Sequence, residues 1–207
     1  MTDRSMRATS ILLLSAALLL ISGCATTGDD GSPSLFVLED GPSAPDKTST
    51  PGAPSLAIAP VAVASYLDQG GIVYQTEVHR IVVANNNRWA APLTDQLTDT
   101  LYGVLASELP GVNLSRPANA QNASYRLRTY IDSFFGHYGG NAVVAGRWTL
   151  IGPQGATVAS RTFKRRTPLP RDGYPALVSS LSQGWQTVGD SIASNVGSAL
   201  EQRATQH

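Results

Sequence analysis

Cysteine is nearly absent. The 207 residues hold a single one, Cys24, so no disulfide closes within the chain and packing alone must hold the fold. Histidine is scarce too: His79, His137 and His207 lie in different segments, no two at ligand spacing, and they do not read as a zinc site. Charge is sparse and balanced, 15 basic against 15 acidic residues for a net charge of zero. No global field therefore draws nucleic acid to the chain. No apolar run reaches the ~20 residues that a membrane-spanning helix needs. The GxSxG elbow, the Walker loop and the dinucleotide glycine fingerprint are all missing. What remains, at 42% hydrophobic residues, is enough for one domain with a real core.

The single cysteine stands at a telling place. Arg4 and Arg7 precede an apolar run from Ile11 to Ile21, and the small residues Ser22 and Gly23 follow, which is the three-part pattern of a secretory signal. Ile21-Ser22-Gly23-Cys24 resembles a bacterial lipobox. That resemblance makes residues 1–23 a lipoprotein signal peptide. Cys24 then carries a thioether-linked diacylglycerol and, after cleavage, an N-acyl chain. The competing readings are a transmembrane anchor, for which the run is too short, and an ordinary buried thiol, which the polar stretch Ala25 to Ser34 does not support. Residues 24–34 read as a lipidated tether, with ten residues reaching at most about 35 Å.

The domain is expected over residues 35–203. Leu35 to Leu38 reads as a first strand, and Gly41 to Ser55, with four prolines, as a flexible surface loop. Leu56 to Val63 reads as a strand with cover on both faces, with an edge or a bulge at Pro60. Ile72 to Gln75 and Arg80 to Ala84 form a hairpin pair. Asn85-Asn86-Asn87 reads as a strand breaker that caps a helix opening at Arg88-Trp89, with Trp89, Leu93, Leu97, Leu101, Val104 and Leu105 on one face. Val112 to Leu114, Ser124 to Phe135, Ala142 to Ile151 and Thr157 to Arg166 read as strands, the last three as an antiparallel meander. In the first long strand Tyr125, Leu127, Ile131 and Phe135 point one way, and Arg126, Arg128, Tyr130 and Asp132 the other. A second helix spans Tyr174 to Arg203. Gly184, Gly189 and Gly197 weaken it, so it depends on packing. The fold class is α/β with α+β character: one domain, a mixed, mostly antiparallel sheet, and two amphipathic helices.

Chemistry-bearing patterns are few. Gly189-Asp190-Ser191-Ile192 is similar to the block of one esterase family. Yet Ser191 falls inside a helical pattern, and only His207 follows it as a base. The basic residues Arg126, Arg128, Arg147, Arg161 and Arg165, with Lys164, Arg166 and Arg171, read either as a solvated face partly paired with Asp132 or as a docking surface for a partner or anionic head groups. The two N-x-S/T matches at Asn113 and Asn122 read as coincidental.

Several segments together resemble the ABC-type transport auxiliary lipoproteins. They are Pro60 to Asp68 with its Tyr66-Leu67-Asp68 turn, Ile72-Val73-Tyr74, Arg88-Trp89-Ala90-Ala91-Pro92-Leu93, Tyr125 to Phe134, and Ala145 to Leu150. The resemblance covers nearly all of the chain from Leu35. It implies a fold like the amino-terminal domain of TolB, no enzymatic activity and no cofactor beyond the acyl groups on Cys24. It also implies a periplasm-facing lipoprotein of the outer membrane, an MCE-domain protein of an ABC-type transporter as partner, a homo-oligomeric ring and a role in envelope integrity. The alternatives are a lipoprotein esterase using Ser191 and a stand-alone envelope-stability lipoprotein.

Overall fold

A 13-residue strand from Tyr125 to His137 is the axis of the architecture seen in a computed structural model of the chain. The structure describes residues 32–39, 41–42, 50–116 and 123–205. Cys24, the signal segment, the tether up to Gly31, the centre of the 41–55 loop and His207 lie outside them. In chain order the strands are β1 (Ser34–Phe36), β2 (Ser55–Ile58), β3 (Ala62–Val63), β4 (Gly71–Glu77), β5 (Arg80–Trp89), β6 (Asn113–Ser115), β7 (Tyr125–His137), β8 (Asn141–Ile151) and β9 (Thr157–Pro168). The helices are α1 (Leu93–Glu108) and α2 (Tyr174–Ala204).

β7 has two unlike edges. On one it pairs antiparallel with β8, which pairs antiparallel with β9, the expected meander. On the other it takes three short parallel partners end to end. Ala57 lies beside Arg126, Ala62 beside Tyr130 and Tyr74 beside Gly136. β4 continues antiparallel into β5, β5 pairs parallel with β1, and β2 pairs parallel with β6. The sheet is mixed. Antiparallel pairing joins its long strands, and parallel pairing attaches the short ones.

Pro60 explains why β2 and β3 are separate. Proline has no N–H to give a ladder, and the chain leaves β7 at Ala59–Val61 before rejoining it. The Ala59 N–H still donates to the Leu127 carbonyl at 2.9 Å, and the Ala64 N–H to Ile131 at 2.9 Å. Between them the Val61 N–H turns to the Thr98 hydroxyl on α1, 2.8 Å away. Leu56, Ala57 and Ile58 are all buried, as a strand covered on both faces requires.

Two expectations fail at the join of β5 and α1. Asn85-Asn86-Asn87 does not break the strand: β5 runs on to Trp89, and the helix begins only at Leu93, after Pro92. The β4 ladder slips there, from Val83 beside Val73 to Arg88 beside Gly71, so the asparagines fall at an irregularity. Pairing resumes with Asn87 beside Ser34 of β1 and Arg88 beside Gly71 of β4, and it outweighs the poor strand propensity of asparagine. No side chain caps α1. Instead the Gln96 side chain accepts from the Leu38 N–H at 2.8 Å and donates to the Ala91 carbonyl at 2.9 Å, tying β1's exit to the helix start.

β7 also departs from simple alternation. Its register with β8 slips between Ile131 and Ser133, leaving Asp132 as an extra, unpaired residue. Such a bulge moves everything after it to the other face. Phe134 is therefore the buried side chain and Phe135 the half-buried one on the opposite side, the reverse of the expected order.

α1 and α2 pack on each other and on one face of the sheet, with α2 over β8, β9 and the end of β7. Trp185 on α2 is buried and donates its indole N–H to the Leu97 carbonyl of α1 at 3.0 Å. The α2 glycines are contact points. A Cβ at Gly189 would lie 3.1 Å from Val104, and one at Gly184 would lie 3.2 Å from Val144. The residues from Pro33 onward form one unit.

Candidate functional site on the open sheet face

The meander carries an uneven charge. Between Tyr125 and Pro168 stand seven basic residues and one acidic residue, Asp132. Neighbours across a ladder share a face, so the register sorts these cations. Arg126 pairs with Ile151, Arg128 with Thr149 and Tyr130 with Arg147. Arg147 in turn pairs with Thr162, Ala145 with Lys164 and Val143 with Arg166. Arg126, Arg128, Arg147, Lys164 and Arg166 thus share the face away from the helices. Arg161 and Arg165 do not join them. They lie across from Trp148 and Val144, whose side chains belong to the helix-covered core, and so stand on the other side of the edge strand. The basic cluster expected from sequence is split by the pleat of β9 into two.

Of the open-face cations, Arg147 is already engaged. Its guanidinium is 3.3 Å from the Asp132 carboxylate and 4.3 Å from the Tyr130 ring centroid. Both partners are half exposed, so this pair contributes little stability; its effect is to fix the orientation of Arg147. Among the described residues the other ion pairs are Arg80–Glu77 and Arg116–Asp99. Arg126, Arg128, Lys164 and Arg166 therefore meet no carboxylate among the described residues. Two hollows run along this face and share Arg128. One, of about 590 Å³, is lined by Ser124, Tyr125, Arg126, Arg128 and the Gly152–Gly155 turn. The other, of about 370 Å³, lies between Ala59–Ala62 and Tyr130, Arg147 and Thr149. Unpaired guanidinium groups beside a groove are built to accept planar anionic groups through paired N–H donors.

The motif residues at the turn after β3 have a different job. Tyr66 lies in a short 3-10 turn, Ser65–Leu67, and its hydroxyl donates to the Asp132 carbonyl at 2.6 Å. It holds the bulge that aims Asp132 at Arg147. Burial raises the Tyr66 pKa above its ordinary value of 10.0; a hydrogen bond with Ser133 opposes this, and Asp132 and Tyr130 add to it. Leu67 is buried, as is Trp89, whose ring packs 6.0 Å from Phe134. Arg88 is exposed with its guanidinium over Gly70, and Pro60 is exposed. These positions build the scaffold beneath the face.

Ser191 is exposed within α2, and its carbonyl accepts from Asn195. It lies about 25 Å along the helix from Tyr174 at ~1.5 Å per residue. His137, across from Asn141 in the β7–β8 ladder, is at the Tyr174 end. The serine and this histidine are not brought together. Among the described residues no group of three His, Cys, Asp or Glu side chains is placed to hold a metal, and no helix is long and apolar enough to cross a membrane.

The sequence profile of the ABC-type transport auxiliary lipoprotein component matches residues 36–193. The chain belongs to that family. Within it, the chain is 34% identical over 185 residues to the Intermembrane transport lipoprotein PqiC of Escherichia coli K12, covering 89% of this chain and 96% of the relative. The PqiC of Shigella flexneri matches equally. A crystal structure of an uncharacterized protein, 33% identical, superposes with a TM-score of 0.70 over 80% of this chain and 99% of its own. A Xanthomonas campestris protein at 18% identity shares the fold at a TM-score of 0.69. The family match spans the whole meander, both helices' sheet contacts and the Tyr66 turn, so the open cationic face is set on the family's common scaffold.

Proposed function

We propose that this auxiliary lipoprotein is the lipid-anchored, periplasm-facing accessory subunit of an intermembrane lipid transport system. It sits on the outer membrane through acyl groups on Cys24 and docks an MCE-domain protein of an ABC-type transporter. The observation that carries this reading is the identity of 34%, over nearly its full length, to a relative named an intermembrane transport lipoprotein. The cationic open face is the docking surface, and a homo-oligomeric ring of such subunits presents several copies of it. The protein contributes position, as an adaptor that supports envelope integrity, and no chemistry of its own.

The anchor is tested first. Cys24→Ser should abolish palmitate incorporation and move the protein from the membrane to the soluble fraction. Its thermal unfolding should match that of the parent domain, since the core is built from Leu38 onward. A Cys24→Ser protein that keeps radiolabelled palmitate and stays with the membrane would refute the assignment.

A further inference from the structure

The exposed apolar side chains fall in two places, Leu35 and Val37 along and just after β1 beside Arg88 and Trp89, and three more at the opposite end of β5. Among the described residues the large ones are Leu35, Val37, Val78, Ile81 and Tyr138. β4 and β7 run parallel with Gln75 beside His137, so the β4–β5 turn and the β7–β8 turn lie at one end of the sheet. Val78, 63% exposed, and Ile81, 42%, sit at the first turn, and Tyr138, 54% exposed, at the second. Single exposed apolar residues are ordinary, but a group at one end marks a contact. At the same end a cleft of about 360 Å³, lined mainly by Tyr74, Tyr138, Leu169, Tyr174 and Leu177 and also by His137 and Asp172, opens beside these side chains. Its tyrosines have the amphipathic character favoured where hydrocarbon meets water. The one carboxylate of the first turn, Glu77, is neutralised by Arg80 at 3.0 Å.

β5 runs away from the Arg80 turn, and β1 runs parallel to it, with Ser34 beside Asn87. β1 is therefore entered, at Ser34, from the side of that turn. From Arg80 to Asn87 the strand covers about 23 Å at ~3.3 Å per residue. The segment from Cys24 to Ser34 reaches up to about 35 Å, enough to bring an acylated Cys24 level with Val78.

We infer that this end of the domain rests on the lipid surface, with Val78, Ile81 and Tyr138 at the boundary between head groups and acyl chains. The inference rests on the reading of Cys24 as the lipid anchor. It adds a second, orienting contact to that anchor. The long strands then stand away from the membrane, and the larger hollow beside the Gly152–Gly155 turn, at the opposite end of the meander, is held toward the partner.

Cys24 is the single cysteine, so in the acylated protein an introduced cysteine is the only free thiol. The test uses the full lipidated protein carrying Val78→Cys or Gln154→Cys, each labelled with the fluorophore NBD and reconstituted in phosphatidylethanolamine–phosphatidylglycerol vesicles. The label at 78 should emit to the blue of the label at 154 and be quenched several-fold more strongly by nitroxide-bearing lipids. Equal, water-like emission at both positions would overturn the contact while leaving the anchor intact. Shielding at 78 without lipid quenching, growing with protein density, would assign the turn to a contact between copies and overturn it as well. Protein that takes thiol label at Cys24 and fails to float with the vesicles would refute the anchor, and the contact with it.

Discussion

The Tyr66 hydroxyl joins a turn, a bulge and a charge pair through one bond to the Asp132 carbonyl. Because burial raises the pKa of Tyr66 and of Tyr174 above 10.0, the folded chain holds those protons more tightly than the unfolded one. Their contribution is intact below about pH 10 and is lost as pH rises through the raised folded values. Tyr66→Phe should lower stability by about 1 kcal/mol at neutral pH through the lost hydrogen bond, yet flatten the alkaline decline; denaturant midpoints at pH 7 and above pH 10 check both. Gly146 is a sharper case. A Cβ there would lie 2.2 Å from the Tyr130 carbonyl and 3.1 Å from the Ile131 Cα, both on the neighbouring strand beside the bulge. Gly146→Ala should cost at least ~3 kcal/mol by forcing β7 and β8 apart, read as a large drop in the unfolding midpoint. At this scale the sequence was informative about types and less so about faces. Alternation placed Leu127 and Ile131 inward correctly, but nothing local announces that Asp132 is the extra residue, so Phe134 and Phe135 were exchanged. The glycine opposite Ile131 is the one trace of the bulge in the sequence.

Elements show the opposite balance. The periodicity of α1 and α2 was plain because their apolar positions recur at helical spacing, and α2 is found at Tyr174–Ala204, one residue beyond expectation. Its glycines read as weak points and are close contacts, Gly189 against α1 and Gly184 against the sheet. Trp185 locks the pair of helices by its bond to Leu97. Trp185→Phe should lower stability by ~1–3 kcal/mol through the unmet hydrogen bond and smaller ring, seen in thermal unfolding, with little change in secondary structure by circular dichroism. The triple asparagine does mark a slip in the β4–β5 ladder, but the strand carries on past it to Trp89 because strand propensity is decided by neighbours. β1 and β4 lie on either side of β5, and a chain read in order does not reveal that a strand fifty residues earlier pairs with it. The same holds for Arg161 and Arg165: their place on the helix side follows from the register of β9, which no local pattern fixes.

For the whole molecule, zero net charge conceals a division, with the meander strongly cationic and every acid but Asp132 elsewhere. The family was legible from the order of the Tyr66-Leu67-Asp68 turn, the hairpin and Arg88-Trp89, although those residues turn out to build the scaffold. The proposed docking surface lies on strands whose spacing is ordinary. We propose that position and docking, through the lipid at Cys24 and the face at Arg126 and Arg128, are what this protein supplies. The most direct measurement is photocrosslinking in intact membranes from a benzoylphenylalanine placed at Thr149, between Arg128 and Ser160 on the open face. The predicted result is an adduct with an MCE-domain protein that disappears when Arg126 and Arg128 are both changed to Glu, with the lipoprotein still folded and membrane-bound. An MCE adduct unchanged by the charge reversal, or adducts with unrelated envelope proteins alone, would contradict it.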